Sequence, residues 1–221
     1  MSDSRTISDE MVALNKSLHH HDATYGKRDL SEGLLENLPS TLNRMHDLGF
    51  CNNLLDYGTG KGDLVNELRK LVQFNIDGFD PGNPKWNTPP LKVYDIITCL
   101  DVLEHVEQSS IHYVLEDINS LASRFVFFIV DLQPAIKRLA DNRNAHILIA
   151  PADWWIAEIS RVFQCVAAFP IPNKVGAKQK LVVTATNIPK MAPISYSFLM
   201  KMRIFDMVMI DAPPSSTTSL R

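Results

Sequence analysis

The stretch Leu54-Leu55-Asp56-Tyr57-Gly58-Thr59-Gly60-Lys61-Gly62-Asp63 decides the fold. Leu54 to Tyr57 reads as a short buried strand. Glycines at 58, 60 and 62 let the chain turn sharply and let a ligand approach the backbone with no Cβ in the way. The spacing predicts a helix from Asp63 to about Leu71, whose first N–H groups face the loop. The next strand, Ile76 to Asp80, closes on an acid about 20 residues beyond the loop, where a carboxylate can take ribose hydroxyls. Three other identities compete for the loop. A Walker loop needs Ser or Thr after its lysine, and here Gly62 follows Lys61. A dinucleotide fingerprint spaces its glycines G-x-G-x-x-G, so the third comes one residue early. Asp56 would also repel a pyrophosphate, whereas it suits a cationic amino-acid ligand. The plain alternative is a tight turn with no ligand.

Working outward, strands and helices alternate. Val93 to Leu100 reads as a strand, Ser110 to Ala122 as a helix, Phe125 to Asp131 as a strand, and Ala152 to Phe163 as a helix. Gln164 to Ile171 and Lys180 to Thr186 pair as a terminal hairpin across a Gly/Lys turn. That order predicts an α/β fold, with a mostly parallel sheet and helices on both faces. In such sheets the ligand sits beyond the carboxyl ends of the strands. Residues 81 to 92 hold five of the chain's prolines and glycines (Pro81, Gly82, Pro84, Pro89, Pro90) and read as loop. Upstream, Asp29 with Glu32 resembles a capping box opening a helix faced by Leu34, Leu35 and Leu38. Pro39 should split that helix, with Ser40 capping the second half and Gly49 stopping it. Residues 1 to about 8 and the tail from Asp211 read as frayed.

Composition narrows the function classes. The chain has 221 residues, 45% of them hydrophobic and 21% charged, enough apolar surface for a sizeable core. A net charge of -3 argues against a generic nucleic-acid binder, which needs basic charge against phosphate. Three scattered cysteines (Cys51, Cys99, Cys165) build neither a disulfide framework nor a zinc spacing, and fit a reducing cytoplasm. No run approaches the ~18 apolar residues of a membrane span, and the polar, acidic N-terminus is wrong for a secretory signal.

On the glycine loop, its leading acid and Asp80, the chain resembles the class I, Rossmann-like S-adenosyl-L-methionine (SAM) methyltransferases over residues 50 to about 187. The resemblance implies a seven-stranded-type sheet with a terminal antiparallel hairpin. Here the sheet is one strand short, because the proline-rich loop replaces a helix and a strand after Asp80. By the same resemblance Asp56, Gly58, Thr59, Gly60 and Gly62 face the methionine end of SAM. Asp80, with Pro81 beside it, takes the ribose. Leu100 and Asp101 line the side near the transferred methyl. The usual adenine-binding acid has no counterpart, and Asn83 or Trp86 is left to flank the base. Tyr25-Gly26 fits an aromatic entry flap, with ordinary packing as the equal alternative. Residues 1–49 then form a helical lid region, 50–187 the SAM-binding domain and 188–221 a C-terminal extension.

Past the third strand comes Asp101-Val102-Leu103-Glu104-His105. The segment is similar to one in ubiquinone-pathway O-methyltransferases and small-RNA terminal 2′-O-methyltransferases. That similarity implies a divalent cation such as magnesium, held by Asp101, Glu104, His105 and, from a later loop, His146. A cation there would lower the pKa of an acceptor hydroxyl. Two alternatives stand beside it: a metal-free pocket with His105 or His146 as general base, and a purely structural role. His19-His20-His21 reads as an exposed helix end rather than a metal site. Trp154-Trp155 suggests one indole in the core and one walling the substrate pocket. Ile194 to Ile210 carries Phe198, Met202, Phe205 and Met209 at near-helical spacing, which suits core packing, a lid or a homodimer contact.

Together these expectations describe a cytoplasmic SAM-dependent methyltransferase acting on a small-molecule hydroxyl, with no membrane partner. A 2′-O-methyltransferase of RNA and a catalytically silent SAM-fold scaffold are the alternatives.

Overall fold

The computed structural model describes residues 6–28, 30, 35–172 and 179–202. Six strands form one sheet: β1 (Asn53–Tyr57), β2 (Asn75–Phe79), β3 (Tyr94–Leu100), β4 (Ala122–Asp131), β5 (Cys165–Pro172) and β6 (Gln179–Thr186). Their order is β2-β1-β3-β4-β6-β5. The first four run parallel, and β6 pairs antiparallel with both β4 and β5. This is the expected mostly parallel sheet with its terminal hairpin, one strand short, since residues 81–92 are loop. The hairpin's turn lies outside the described residues.

The parallel strands are buried on both faces and read as near-continuous apolar runs. Alternate residues of β4 serve two cores. Val126, Phe128 and Val130 pack under α4 (Ile111–Leu121) and α5 (Ala152–Val162). Phe125, Phe127 and Ile129 pack on the other face, under α2 (Leu38–Asp47), α3 (Asp63–Leu71) and α6 (Ala192–Lys201). Each buried Phe contributes roughly 1.5–3 kcal/mol, which fixes the register of the sheet. Trp155 is fully buried in the first core, and Trp154 packs against that core rather than lining the cleft described below. In α6, Phe198, Leu199 and Met202 are buried in the second core, so the described part of the C-terminal extension packs as core. Phe205 and Met209 lie outside the described residues.

The N-terminal half departs from expectation in three places. α1 (Asp9–His21) begins at Ser8, whose hydroxyl accepts the Met11 amide at 3.2 Å. Ser8 also gives its N–H and O–H to the Glu107 carboxylate, and Thr6 is buried, so the expected fraying does not extend to residues 6–8. Pro39 does not split a helix; it sits in the first turn of α2, where its missing N–H would have had no partner. Ser40 is not a cap, and its hydroxyl donates to the Asn37 carbonyl at 3.0 Å. The capping-box pair Asp29 and Glu32, with Leu34, lies outside the described residues.

Candidate active site

A cleft of about 350 Å³ opens beyond the carboxyl ends of β1 to β4. Its floor is the glycine loop. Gly58 and Thr59 donate to the Phe79 carbonyl, at 2.7 and 3.0 Å, which ties the loop to the end of β2. Gly60 donates to Asp80 Oδ2 and Gly82 to Asp80 Oδ1, both at 2.8 Å. Burial pushes the Asp80 carboxyl up to about 6, with the Gly60 and Gly82 amides pulling the other way. Gly60 has φ +59, and a Cβ there would run into the Gly26 carbonyl. Gly58 has φ +81, and a Cβ there would enter the Val102 side chain. Asn83 donates to the Gly60 carbonyl at 2.7 Å, and the Trp86 indole covers Gly62. Both therefore brace the loop from behind rather than line the cleft.

The roof is α1 with the turn that follows it. Asn15, His19, Tyr25, Gly26 and Arg28 line the cleft from this side. Lys61 donates its amide to the Gly26 carbonyl at 3.0 Å and its ammonium to the Asp22 carbonyl at 2.7 Å. Lys137, from the loop after β4, holds the Asp22 carboxylate at 2.8 Å. Of the three consecutive histidines, His20 and His21 are exposed as expected, but His19 is turned inward against Tyr25. Its burial, aided by the Lys61 charge, lowers the imidazole to about 4.

At the end of β3, Asp101 adopts φ +49, a conformation uncommon outside glycine. Its Oδ1 takes Lys180 at 2.6 Å and its Oδ2 takes Arg28 at 3.0 Å. Burial alone would raise the Asp101 carboxyl, but those two charges outweigh it and hold it below the usual range. Arg28 also donates to the Leu100 carbonyl. The Leu100 side chain itself is buried in the second core. Asp56, under the loop, is buried too, and Thr98 donates to its Oδ1 at 2.8 Å. Thr59 and Gly62 complete the loop without reaching the cleft wall, while Pro81 lines it beside Asp80.

A short 3-10 turn, Leu103–His105, then brings Glu104 and His105 toward His146. The two imidazoles meet edge to face with 4.8 Å between centroids. His105 Nδ1 sits 2.7 Å from the Ala145 carbonyl, and His146 Nδ1 sits 2.5 Å from the Gln133 carbonyl. A carbonyl only accepts, so both Nδ1 atoms carry hydrogen, and a neutral ring then keeps its lone pair on Nε2. Burial, reinforced by His146, lowers His105 to about 4, so the ring is neutral. Glu104 is fully buried; its Oε1 accepts the Asp131 amide, and its Oε2 has no partner among the described residues. Burial and the nearby Asp101 charge push the Glu104 carboxyl well up. Glu104, His105 and His146 offer ligand atoms that all lie within 4.8 Å of one another. Asp101, expected as the fourth ligand, is not in that group.

A family model described as a methyltransferase domain matches residues 19–164. The chain belongs to the methyltransferase domain family. Solved methyltransferases share its fold. N-methyltransferase NodS from Bradyrhizobium japonicum, in complex with S-adenosyl-L-homocysteine (SAH), superposes with a TM-score of 0.54 at 13% identity, over 80% of this chain and 99% of that one. A DhpI–SAH complex gives 0.54 at 13% identity, over 84% and 100%. The Burkholderia thailandensis 1,6-didemethyltoxoflavin-N1-methyltransferase, with its acceptor and SAH bound, gives 0.54 at 18%, over 80% and 88%. A search of curated protein sequences returned no match. In this methyltransferase, Asn15, His19, Arg28, Asp131 and Lys180 also line the cleft, and the sequence reading assigns none of them to it, taking His19 for part of an exposed helix end. Arg28, three residues past the Tyr25 flap, and Asp131, at the carboxyl end of β4, carried positional signals. No described helix is long and apolar enough to cross a membrane.

Proposed function

We propose that the chain transfers the methyl group of SAM to a hydroxyl of a small molecule, and that His105 and His146 receive the acceptor's proton. The glycine loop, with Gly58 and Gly60 at the cleft surface and Asp56 beneath, faces the methionine end of the cofactor. Asp80 accepts from the ribose hydroxyls, with Pro81 beside the base. Fit is supported by the loop itself, since the Asp80 carboxylate lines the cleft and Gly58 and Gly60 bring bare backbone to it. The cofactor supplies, when bound, a methyl group made electrophilic by a sulfonium.

One observation carries the proton-accepting role: two imidazoles line the cleft with Nδ1–H tied to backbone carbonyls, so that the neutral His105 ring turns its Nε2 to the cleft as a fixed acceptor. A base held near 4 is too weak to ionise a hydroxyl beforehand. His105 therefore takes the proton as the new O–C bond forms, while the hydroxyl acidifies. Tyr25, edge to face with His105 at 5.8 Å between centroids, keeps the ring in place. The test is SAH release measured against a panel of phenols, alcohols, amines and thiols. Turnover of hydroxyl compounds, lost in His105→Ala with SAH binding kept, is the expected result; turnover of amines alone overturns the choice of acceptor.

A second reading is favoured by the Glu104 carboxylate, which has one oxygen unpartnered among the described residues and lies with two imidazoles in a group whose ligand atoms fall within 4.8 Å of one another. A divalent cation held by Glu104, His105 and His146 would bind the acceptor oxygen and lower its pKa. One carboxylate and two imidazoles suit manganese or zinc better than the all-oxygen preference of magnesium. Asp101 would remain with Arg28 and Lys180. Titration of metal-free protein with Mn²⁺, Zn²⁺ and Mg²⁺ by calorimetry tests this. Binding that vanishes in Glu104→Ala supports it, and no binding of any of the three rejects it.

A further inference from the structure

The loop after Asp80 leaves the cofactor's base without an evident polar partner. Between Asp80 and Asp95 the sequence holds no acid. Its two obvious candidates are engaged elsewhere, Asn83 on the Gly60 carbonyl and Trp86 against Gly62. If Asp80 holds the ribose, Pro81 and Gly82, the next cleft-lining residues, would lie beside the base. The polar side chain facing that spot comes from the roof. A Cβ on Gly82 would stand 2.9 Å from the Asn15 Cβ, so the two are in direct apposition. Asn15 lines the cleft and is only 9% exposed.

Its amide is also oriented. The Tyr25 hydroxyl donates to Asn15 Oδ1 at 3.0 Å. Nδ2 has no hydrogen-bond partner among the described residues, and Oδ1 keeps a second lone pair. A carboxamide presenting one donor and one acceptor side by side matches an adenine edge, where an N6 amino hydrogen lies beside a ring-nitrogen acceptor. We propose that Asn15, held by Tyr25, reads the adenine of the cofactor, so that α1 supplies the base recognition the loop after β2 lacks.

The proposal rests on the ribose placement at Asp80, and calorimetry with two ligands separates the two. SAH carries adenine; S-inosylhomocysteine carries hypoxanthine, which puts an acceptor where adenine has its amino group. Wild-type protein should prefer SAH by tenfold or more. Asn15→Ala should weaken SAH about tenfold and S-inosylhomocysteine little, so the preference collapses. Asp80→Ala should weaken both ligands alike and keep the preference. Equal binding of the two ligands by wild-type protein, a measurement independent of any variant's folding, overturns the proposal. So does an Asn15→Ala protein with its preference intact while Asp80→Ala is weakened. An Asp80→Ala protein that binds both as wild type does overturns the ribose placement and the proposal with it.

Discussion

The Gly26 carbonyl accepts the Lys61 amide hydrogen at 3.0 Å, which fastens the turn after α1 directly onto the glycine loop. Roof and floor of the cleft therefore touch through bare backbone. Gly26 at φ +69 and Gly60 at φ +59 both hold conformations that a side chain resists.

Gly60→Ala should consequently disturb both partners at once. The left-handed backbone costs roughly 1–2 kcal/mol for an L-residue. The new methyl also meets the Gly26 carbonyl and must push the roof away. The expected outcome is a lower melting temperature together with an SAH affinity reduced at least tenfold. A variant that melts lower but binds SAH normally would mean that roof contact has no bearing on the cofactor.

Asp80→Ala should weaken SAH by ~1–3 kcal/mol, the usual cost of leaving buried hydroxyls unpaired. That is about 5- to 150-fold in Kd. The pH dependence follows from the carboxyl's position near 6. The ionised form accepts hydroxyl hydrogens, and the free protein takes up a proton as pH falls through about 6. Affinity should thus be level above neutrality and decline on the acid side, and Asp80→Asn should flatten that decline. Calorimetry between about pH 5 and 8 reads both effects.

How legible this site was in the sequence depends on how local each feature is. The loop and Asp80 were readable because one strand-turn-helix and the end of the next strand determine them. Helix α3 was readable to its ends, since Gly62 and Val72 bracket a regular amphipathic turn pattern. His105 and His146 could be paired because loops at neighbouring carboxyl ends share a crevice. Asp101 stands apart from the Glu104, His105 and His146 group because it pairs with Arg28 and Lys180, which lie 73 and 79 residues away along the chain and so leave no local signal. His19 hides its role for the same reason. Nothing in a run of three histidines tells which one faces inward until Tyr25 and Asp80 pack against it. Asn15 lies on a helix whose amphipathic pattern is weak, so its burial only follows from the chain folding back over the cleft.

His105→Ala should slow turnover by ~10²-fold or more, the scale for losing a general base, while SAH binds as before. The wild-type pH profile gives a separate check. An ordinary imidazole gains its proton near 6.5, but burial and His146 hold His105 near 4. Its proton-accepting form thus persists as pH falls through 6.5 and is lost only on approach to 4. With SAM saturating, so that Asp80 does not limit, kcat should stay level from about pH 8 down to about 5.5. An acid limb centred near 6.5 would argue that a different, less buried imidazole takes the proton.

Phe198 gives a test of the C-terminal segment that leaves the cleft untouched. The ring is fully buried on α6 and lies between Phe125 and Phe127, 5.3 Å from each centroid. No α6 residue lines the cleft. Phe198→Ala removes transfer energy and leaves a void in a close-packed core, together ~3–5 kcal/mol. In a chain of this size 1 kcal/mol moves the melting temperature by about 2–4 °C, so a drop of roughly 6–20 °C is expected. Met200 on the same helix is 46% exposed, and Met200→Ala should stay within about 0.5 kcal/mol of wild type. SAH affinity, measured well below the lowered transition, should be unchanged in both. If the two variants melt alike, α6 does not belong to the core. If instead Phe198→Ala loses SAH affinity while still folded, the segment acts on the cleft, as a lid would.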